Sequence, residues 1–232
     1  MDRPAFRRTM RTLAAKYPAE DWSTGLTPFE ILVSTVLSQS TTAANERRGM
    51  DGLRAAFGRV IPKTLATADV ESIARAIWHA GLARVKAPRL RGIARAVRDT
   101  WGGDLDRALG LPTDEARAAL VALPGVGPKT ADVVLAMAGG HPAFPVDTHV
   151  ARIARRWRIP RGGAYADVRA ALERWTPPTK RKAWHLVLIA HGRALCKARA
   201  PRCDACPVAP DCDWFRARAR RPRSKRLRAD GQ

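Results

Sequence analysis

Acidic side chains are scarce in this chain. It carries 21 Asp plus Glu against 42 Lys plus Arg in 232 residues, a formal net charge of +21. With so few carboxylates the natural counterpart is a polyanion, because each phosphate neutralised releases counterions and adds affinity that is independent of base sequence. Long apolar runs are missing too: nowhere do about eighteen uncharged apolar residues follow one another. Residues 1–11 carry charges but no apolar run of signal-peptide type. A soluble cytoplasmic protein with no membrane partner is expected. Strand-type alternation is absent, and no unit of solenoid length repeats. These absences leave an all-α fold of one or two ordinary cores, which the 46% of hydrophobic residues can fill. Cysteine is rare as well, and its four copies fall in one short segment.

Among what is present, the most informative stretch is Leu123-Pro124-Gly125-Val126-Gly127-Pro128-Lys129. Gly125 and Gly127 permit backbone angles and close approaches that a Cβ opposes, so consecutive N–H groups can converge on an anion. The alanine-rich run that follows, with Val133, Val134 and Leu135, suits a helix whose positive end faces the same anion, and Pro128 fits its first position. Upstream, Thr113 is placed to cap a helix ending at Leu123, with Asp114 and Glu115 in its first turn. The unit reads as helix, hairpin, helix, and an amine at such a hairpin points to chemistry on phosphate-bearing DNA. Thr27 and Glu30 form a capping-box pattern around Pro28 and open the apolar run 29–37. Further helices are predicted over 41–57, 69–79, 86–101, 147–157, 164–175 and 179–195, separated by Gly, Pro or Thr-Pro punctuation.

Cys196, Cys203, Cys206 and Cys212 stand in the order Cys-x6-Cys-x2-Cys-x5-Cys. Two disulfides do not suit an intracellular protein. Four thiolates bind zinc tetrahedrally or hold a [4Fe-4S] cube, and spacing alone leaves both open. His149, His185 and His191 each fall in a predicted helix or its cap, which favours core or capping roles over metal ligation.

Together these residues resemble the endonuclease III family of DNA glycosylases, within the helix-hairpin-helix superfamily, over nearly the whole chain. Leu37-Ser38-Gln39-Ser40-Thr41-Thr42 resembles the family's first DNA-contact loop and Gly81-Leu82 its second. The segment 123–130 resembles the hairpin and Val146-Asp147-Thr148-His149-Val150 the acidic motif. His191-Gly192-Arg193 leads into cysteines spaced like the family's cluster loop. The resemblance implies two helical lobes flanking a DNA cleft: a six-helix domain over 23–140 that carries the hairpin, and an iron-sulfur domain of 1–22 plus 141–215. A basic tail, 216–232, extends past the family's usual end and reads as a frayed helix or disordered arm. The cofactor implied is a [4Fe-4S] cluster, and the partner is damaged double-stranded DNA bound by a monomer.

The implied reaction starts with flipping the target nucleotide out of the duplex. Lys129 then attacks the deoxyribose C1′, expels the damaged base and forms a Schiff base that permits β-elimination of the 3′ phosphate. Asp147 accepts the lysine proton and stabilises positive charge on the sugar. Two plainer readings stand beside these: a phosphate-binding Lys129, and an Asp147 that caps the helix after it. By the same resemblance Ser40 and Leu82 fill the gap left by the flipped base, Gly125 and Gly127 lie against phosphate, and Lys197, Arg199 and Arg202 present cations from the cysteine loop. Ser40 stands where the family's bacterial prototype has a longer amide, and Ala43 where an acidic residue is common; Leu82 could instead be a core leucine. The expected function is base excision of oxidised pyrimidines with associated AP-lyase activity. The alternatives are an adenine-mismatch glycosylase, whose family lacks a lysine at the position of Lys129, and a DNA-binding relative with weak or no turnover.

Overall fold

A computed structural model describes residues 1–160 and 163–219, and among them there are helices and turns but no strand. The chain divides into two compact units, Ser23–His141, and Met1–Trp22 with Pro142–Gln232.

The continuous unit opens with α2 (Pro28–Leu37), preceded in the chain by α1 (Arg3–Lys16) of the other unit. Its start is the capping box read from the sequence: Glu30 N donates to Thr27 Oγ1 at 3.3 Å and Thr27 N to Glu30 Oε2 at 3.0 Å. There follow α3 (Ala43–Phe57), α4 (Pro62–Thr67), α5 (Val70–Ala76), a 3₁₀ turn Trp78–Ala80, α6 (Ala83–Trp101), α7 (Asp106–Leu109), α8 (Thr113–Val121) and α9 (Pro128–Met137). The unit thus holds eight α-helices and a 3₁₀ turn, and short pieces such as Pro62–Thr67 and Asp106–Leu109 punctuate the connections. Helix α2 lies against α3, α6 and α9, and α8 against α9. Glycine sets one of these spacings: a Cβ on Gly49 would stand 2.9 Å from Ala80 Cβ, so α3 approaches the 3₁₀ turn only through a bare backbone.

Local chemistry explains where predicted boundaries shift. The 41–57 helix starts at Ala43 because Thr42 caps it, accepting from Asn45 N at 3.3 Å. The 69–79 helix breaks into α5, capped by Asp69, and the 3₁₀ turn. The 86–101 helix begins earlier, at Ala83. Thr113 is not a cap: Pro112 occupies that position, Thr113 enters the helix, and its Oγ1 lies 3.0 Å from His141 Nδ1.

The second unit combines α1 with α10 (Thr148–Trp157), α11 (Tyr165–Trp175), α12 (Arg181–Ala194) and α13 (Asp213–Ala219). Helix α12 runs against α1 and α10. Its core centres on Phe6, whose ring lies 5.7 Å from the Trp175 and Trp184 rings and 6.2 Å from that of Trp157, in tilted and edge-on arrangements. Met10, Leu13, Val150, Ile153 and Leu188 complete the buried cluster. Of the predicted tail, residues 216–219 belong to α13, and residues 220–232 lie outside the described residues.

Phe6→Ala removes the ring that the three indoles share. It should lower unfolding free energy by about 3–5 kcal/mol, read from denaturant unfolding followed by tryptophan fluorescence; an unmoved midpoint would contradict this account of the core.

Candidate active site and nucleic-acid interface

The helix-hairpin-helix is built by two buried anchors and one ion pair. Leu123 and Val126 are buried on either side of the turn, and Val126 N donates to Leu123 O at 3.1 Å. Arg117 of α8 donates to the fully buried Asp132 of α9 at 2.8 Å and also pairs with Asp114, which locks the two helices together. Gly125 has φ +71, and a Cβ there would collide with the Arg89 side chain 2.3 Å away. It must therefore be glycine twice over. Gly127 differs from the expectation: its backbone is extended (φ −91, ψ 174) and a Cβ would meet nothing within 4 Å. What Gly127 contributes is open room at the start of α9. No side chain caps that helix, Pro128 is its first residue, and Lys129 follows half-buried in its first turn. The orphan amides and positive end of α9 thus favour an anion beside Lys129.

Two loops of the same unit carry the other nominated DNA contacts. Ser40 and Leu82 are both exposed, and both adopt left-handed backbone, φ +54 and +51. For a leucine this is strained by about 1 kcal/mol or more, and such strain persists where the surroundings impose it. Leu82 is thus not a core leucine. The imposing residue is Lys86, with 1% of its surface exposed, whose Nζ donates to Leu37 O at 2.7 Å and to Ala80 O at 2.9 Å. One ammonium therefore joins the end of α2, just before Ser40, to the end of the 3₁₀ turn, just before Leu82. Burial holds the Lys86 pKa below its usual value, and the neighbouring Arg89 charge adds to the effect. The first loop is also tied to α9. Arg89 Nη1 donates to Gln39 Oε1 at 2.9 Å, and Gln39 Nε2 reaches Thr130 Oγ1 at 3.5 Å, next to Lys129.

Asp147 belongs to the other unit, half-buried as the N-cap of α10, where its Oδ1 accepts from Val150 N at 2.8 Å. The capping role foreseen for it is real. In the next turn Arg152 ties α10 to the cysteine segment, with its Nε 2.9 Å from Cys196 O and its Nη2 3.1 Å from Gly192 O and 2.9 Å from His149 Nδ1. Burial lowers the His149 pKa despite the Asp147 charge nearby, and a Cβ on Gly192 would strike the His149 ring. His185 is a core histidine, 2.9 Å from Pro145 O and edge-on to Phe144.

All four cysteines line one cavity, together with Arg156 and His191. Burial, then the charges of Cys212, Cys196 and Cys206, push the Cys203 thiol up to about 11, so four thiolates at this spot call for a strongly positive centre. Arg156 answers in part: it is buried, and its Nη1 donates to Cys196 Sγ at 3.0 Å. Among the described residues no three His, Cys, Asp or Glu side chains converge closely enough to hold a single metal ion. Lys197, Arg199 and Arg202 are exposed on the loop between the first two cysteines, where Ala200 also has positive φ.

Sequence reasoning missed Lys86, Arg89 and Arg156, and gave Gln39 only as part of the first loop. The signal for Lys86 was present: it falls on the buried stripe Ala83, Ala87, Leu90, Ile93, Ala94 and Val97 of α6, where a charge needs a reason. Lys86→Met should leave two buried carbonyls unpaired and cost about 2 kcal/mol or more. Amide exchange should then accelerate together in residues 38–42 and 80–82; acceleration in one loop alone would contradict the shared clamp.

Residues 33–178 match the HhH-GPD superfamily of base excision DNA repair proteins. Endonuclease III of Bacillus subtilis is 36% identical over 186 residues, 80% of each chain, and that of Sulfolobus acidocaldarius 32% identical over 188 residues, 81% of this chain and 82% of that protein. A solved trapped covalent intermediate of endonuclease III with DNA superposes with a TM-score of 0.83 at 29% identity, covering 95% of this chain and 100% of the other. The chain therefore belongs to the HhH-GPD superfamily of base excision DNA repair proteins and is a relative of the endonucleases III.

Proposed function

We propose that this chain is a monomeric DNA glycosylase with associated AP-lyase activity, acting in the cytoplasm on oxidised pyrimidines in duplex DNA. Lys129 is its nucleophile and Asp147 its general base. The observation that carries the reading is Lys129 in the first turn of α9, next to a helix start that no side chain caps. That end attracts a phosphate and so brings the sugar of the same nucleotide to the amine. Lys129 gives its proton to Asp147 and forms a bond to C1′; the N-glycosidic bond breaks and the base leaves with the electron pair. Opening of the sugar ring gives the imine. Loss of a C2′ proton then expels the 3′ phosphate, and water releases the lysine.

Asp147 serves two ends at once. Its Oδ1 is committed to the Val150 amide, which fixes the carboxylate's orientation, and once the lysine proton has passed on to the departing base its restored charge opposes the cationic imine. Cys196, Cys203, Cys206 and Cys212 would hold a [4Fe-4S] cluster. When bound it cross-links the loop and supplies positive charge against the thiolates, and the chain's own Lys197, Arg199 and Arg202 would meet phosphate from that loop.

Lys129→Ala should abolish strand nicking at an abasic site and covalent trapping by borohydride; equal trapping by the variant would refute the lyase mechanism. Asp147→Asn keeps a good N-cap, so the fold should persist while base excision falls by roughly 10²–10⁴-fold. A folded Asp147→Asn enzyme with full excision would remove the base from Asp147. For the cluster, purified protein should contain about four iron atoms per chain and absorb in the visible, and Cys206→Ala should lose both; zinc in place of iron would overturn the assignment. Arg199→Ala should flatten the salt dependence of DNA binding by about one unit of slope if it meets a phosphate, and an unchanged slope would take it out of the interface.

A further inference from the structure

Six large hydrophobic residues stand exposed among the described ones, and three of them, Trp78, Leu82 and Val85, fall within one eight-residue stretch. Their exposures are 68%, 57% and 54%, with Trp78 the highest of all. Scattered apolar residues on a surface need no explanation, but a bare indole beside two further exposed aliphatics forms a patch.

The backbone beneath the patch is held at several points. Ala80 N donates to Ile77 O at 2.8 Å, Gly81 N to Trp78 O at 3.2 Å, and Ala80 O accepts the buried Lys86 ammonium. The side chains of a 3₁₀ turn point about 120° apart. Ala80 is turned inward against α3, fully buried and near Gly49, and His79 meets Arg48 of α3 at 3.2 Å. Trp78 takes the remaining direction, into solvent. Exposed cations stand on the helices that pack against this turn: Arg47 and Arg48 in the second turn of α3, and Arg84 in the first turn of α6. An exposed indole on a pinned turn, set among guanidinium groups, is the arrangement that binds an unstacked base while its phosphates meet the cations. A protein partner is less well matched, because the apolar stretch is short and the exposed charges on the helices beside it include three arginines.

We propose that Trp78 is a further DNA-contacting residue, stacking on a base or sugar exposed where the duplex is opened beside Leu82. The proposal rests on the reading of Leu82 as the side chain that enters the duplex. It also answers the short Ser40 side chain, which cannot cover an orphaned base: the stacking surface comes from Trp78, on the neighbouring loop. Gly81 lies against that first loop, since a Cβ on it would be 4.0 Å from Thr41 Oγ1.

The test uses the full chain and a duplex bearing a tetrahydrofuran abasic analogue, which offers no electrophilic C1′ and so separates binding from lysine chemistry. Trp78→Ala should weaken binding to this duplex by about 5- to 100-fold, with much less change for undamaged duplex. Trp78→Tyr should restore most of the loss, and Leu111→Ala, at another exposed apolar site, should bind as the wild type does. With 2-aminopurine opposite the analogue, Trp78→Ala should also change the fluorescence of the bound complex. Three outcomes would overturn the proposal: undiminished lesion binding by Trp78→Ala, an equal loss on undamaged duplex, or a Trp78→Tyr variant as weak as Trp78→Ala. Borohydride trapping of the wild type on a true abasic site reads the proposed function independently, so the two ideas fail in different assays.

Discussion

One buried ammonium governs the working surface of the helix-hairpin-helix unit. Lys86 sits in an apolar interior with two backbone carbonyls as its partners in hand, Leu37 O and Ala80 O, at distances of 2.7 and 2.9 Å. Burying such a charge costs several kcal/mol unless its hydrogen bonds are made, so neither loop can drift without leaving the ammonium short of a partner. Ser40 and Leu82 keep left-handed backbone on either side of this clamp. The strain at these exposed tips is offset by the bonds made in the interior.

From the same region a second chain of contacts runs to the hairpin. Arg89 crosses the bare face of Gly125 and holds Gln39, and Gln39 reaches Thr130 beside Lys129. The first loop, the hairpin and the start of α9 are thus coupled by side chains that themselves do no chemistry. In the other unit Arg152 and Arg156 play the corresponding part, joining the helix that Asp147 caps to Cys196 through its carbonyl and its sulfur. Lys129 and Asp147 each stand at a helix start, where backbone geometry fixes them more firmly than a loop would.

Much of this was legible in the sequence, for physical reasons that differ from part to part. The all-helical class followed from punctuation and period, and the capping box of Thr27 and Glu30 formed as its spacing requires. Helix starts shifted where the cap lay elsewhere: Thr42 caps the helix expected from residue 41, which therefore begins at Ala43, and Pro112 displaced Thr113. Gly125 and Gly127 looked equivalent as letters, yet only Gly125 has a backbone and a neighbour that demand glycine. Lys129, Asp147 and the cysteines stood out because their motifs are local. Arg89, Gln39 and Arg156 did not, since their partners lie 50 and 40 residues away for the contacts with Gln39 and Cys196. Trp78 was invisible for a further reason: its letter is typical of a core, and its meaning lies in its exposure.

The central claim is that the amine at the start of α9 becomes covalently joined to the sugar. Mass spectrometry of proteolytic fragments tests it most directly, after the protein has been reduced with borohydride on abasic duplex DNA. The account predicts a deoxyribose-derived mass increment on the fragment containing Lys129. An increment confined to any other lysine, such as Lys197 in the cysteine loop, would contradict it.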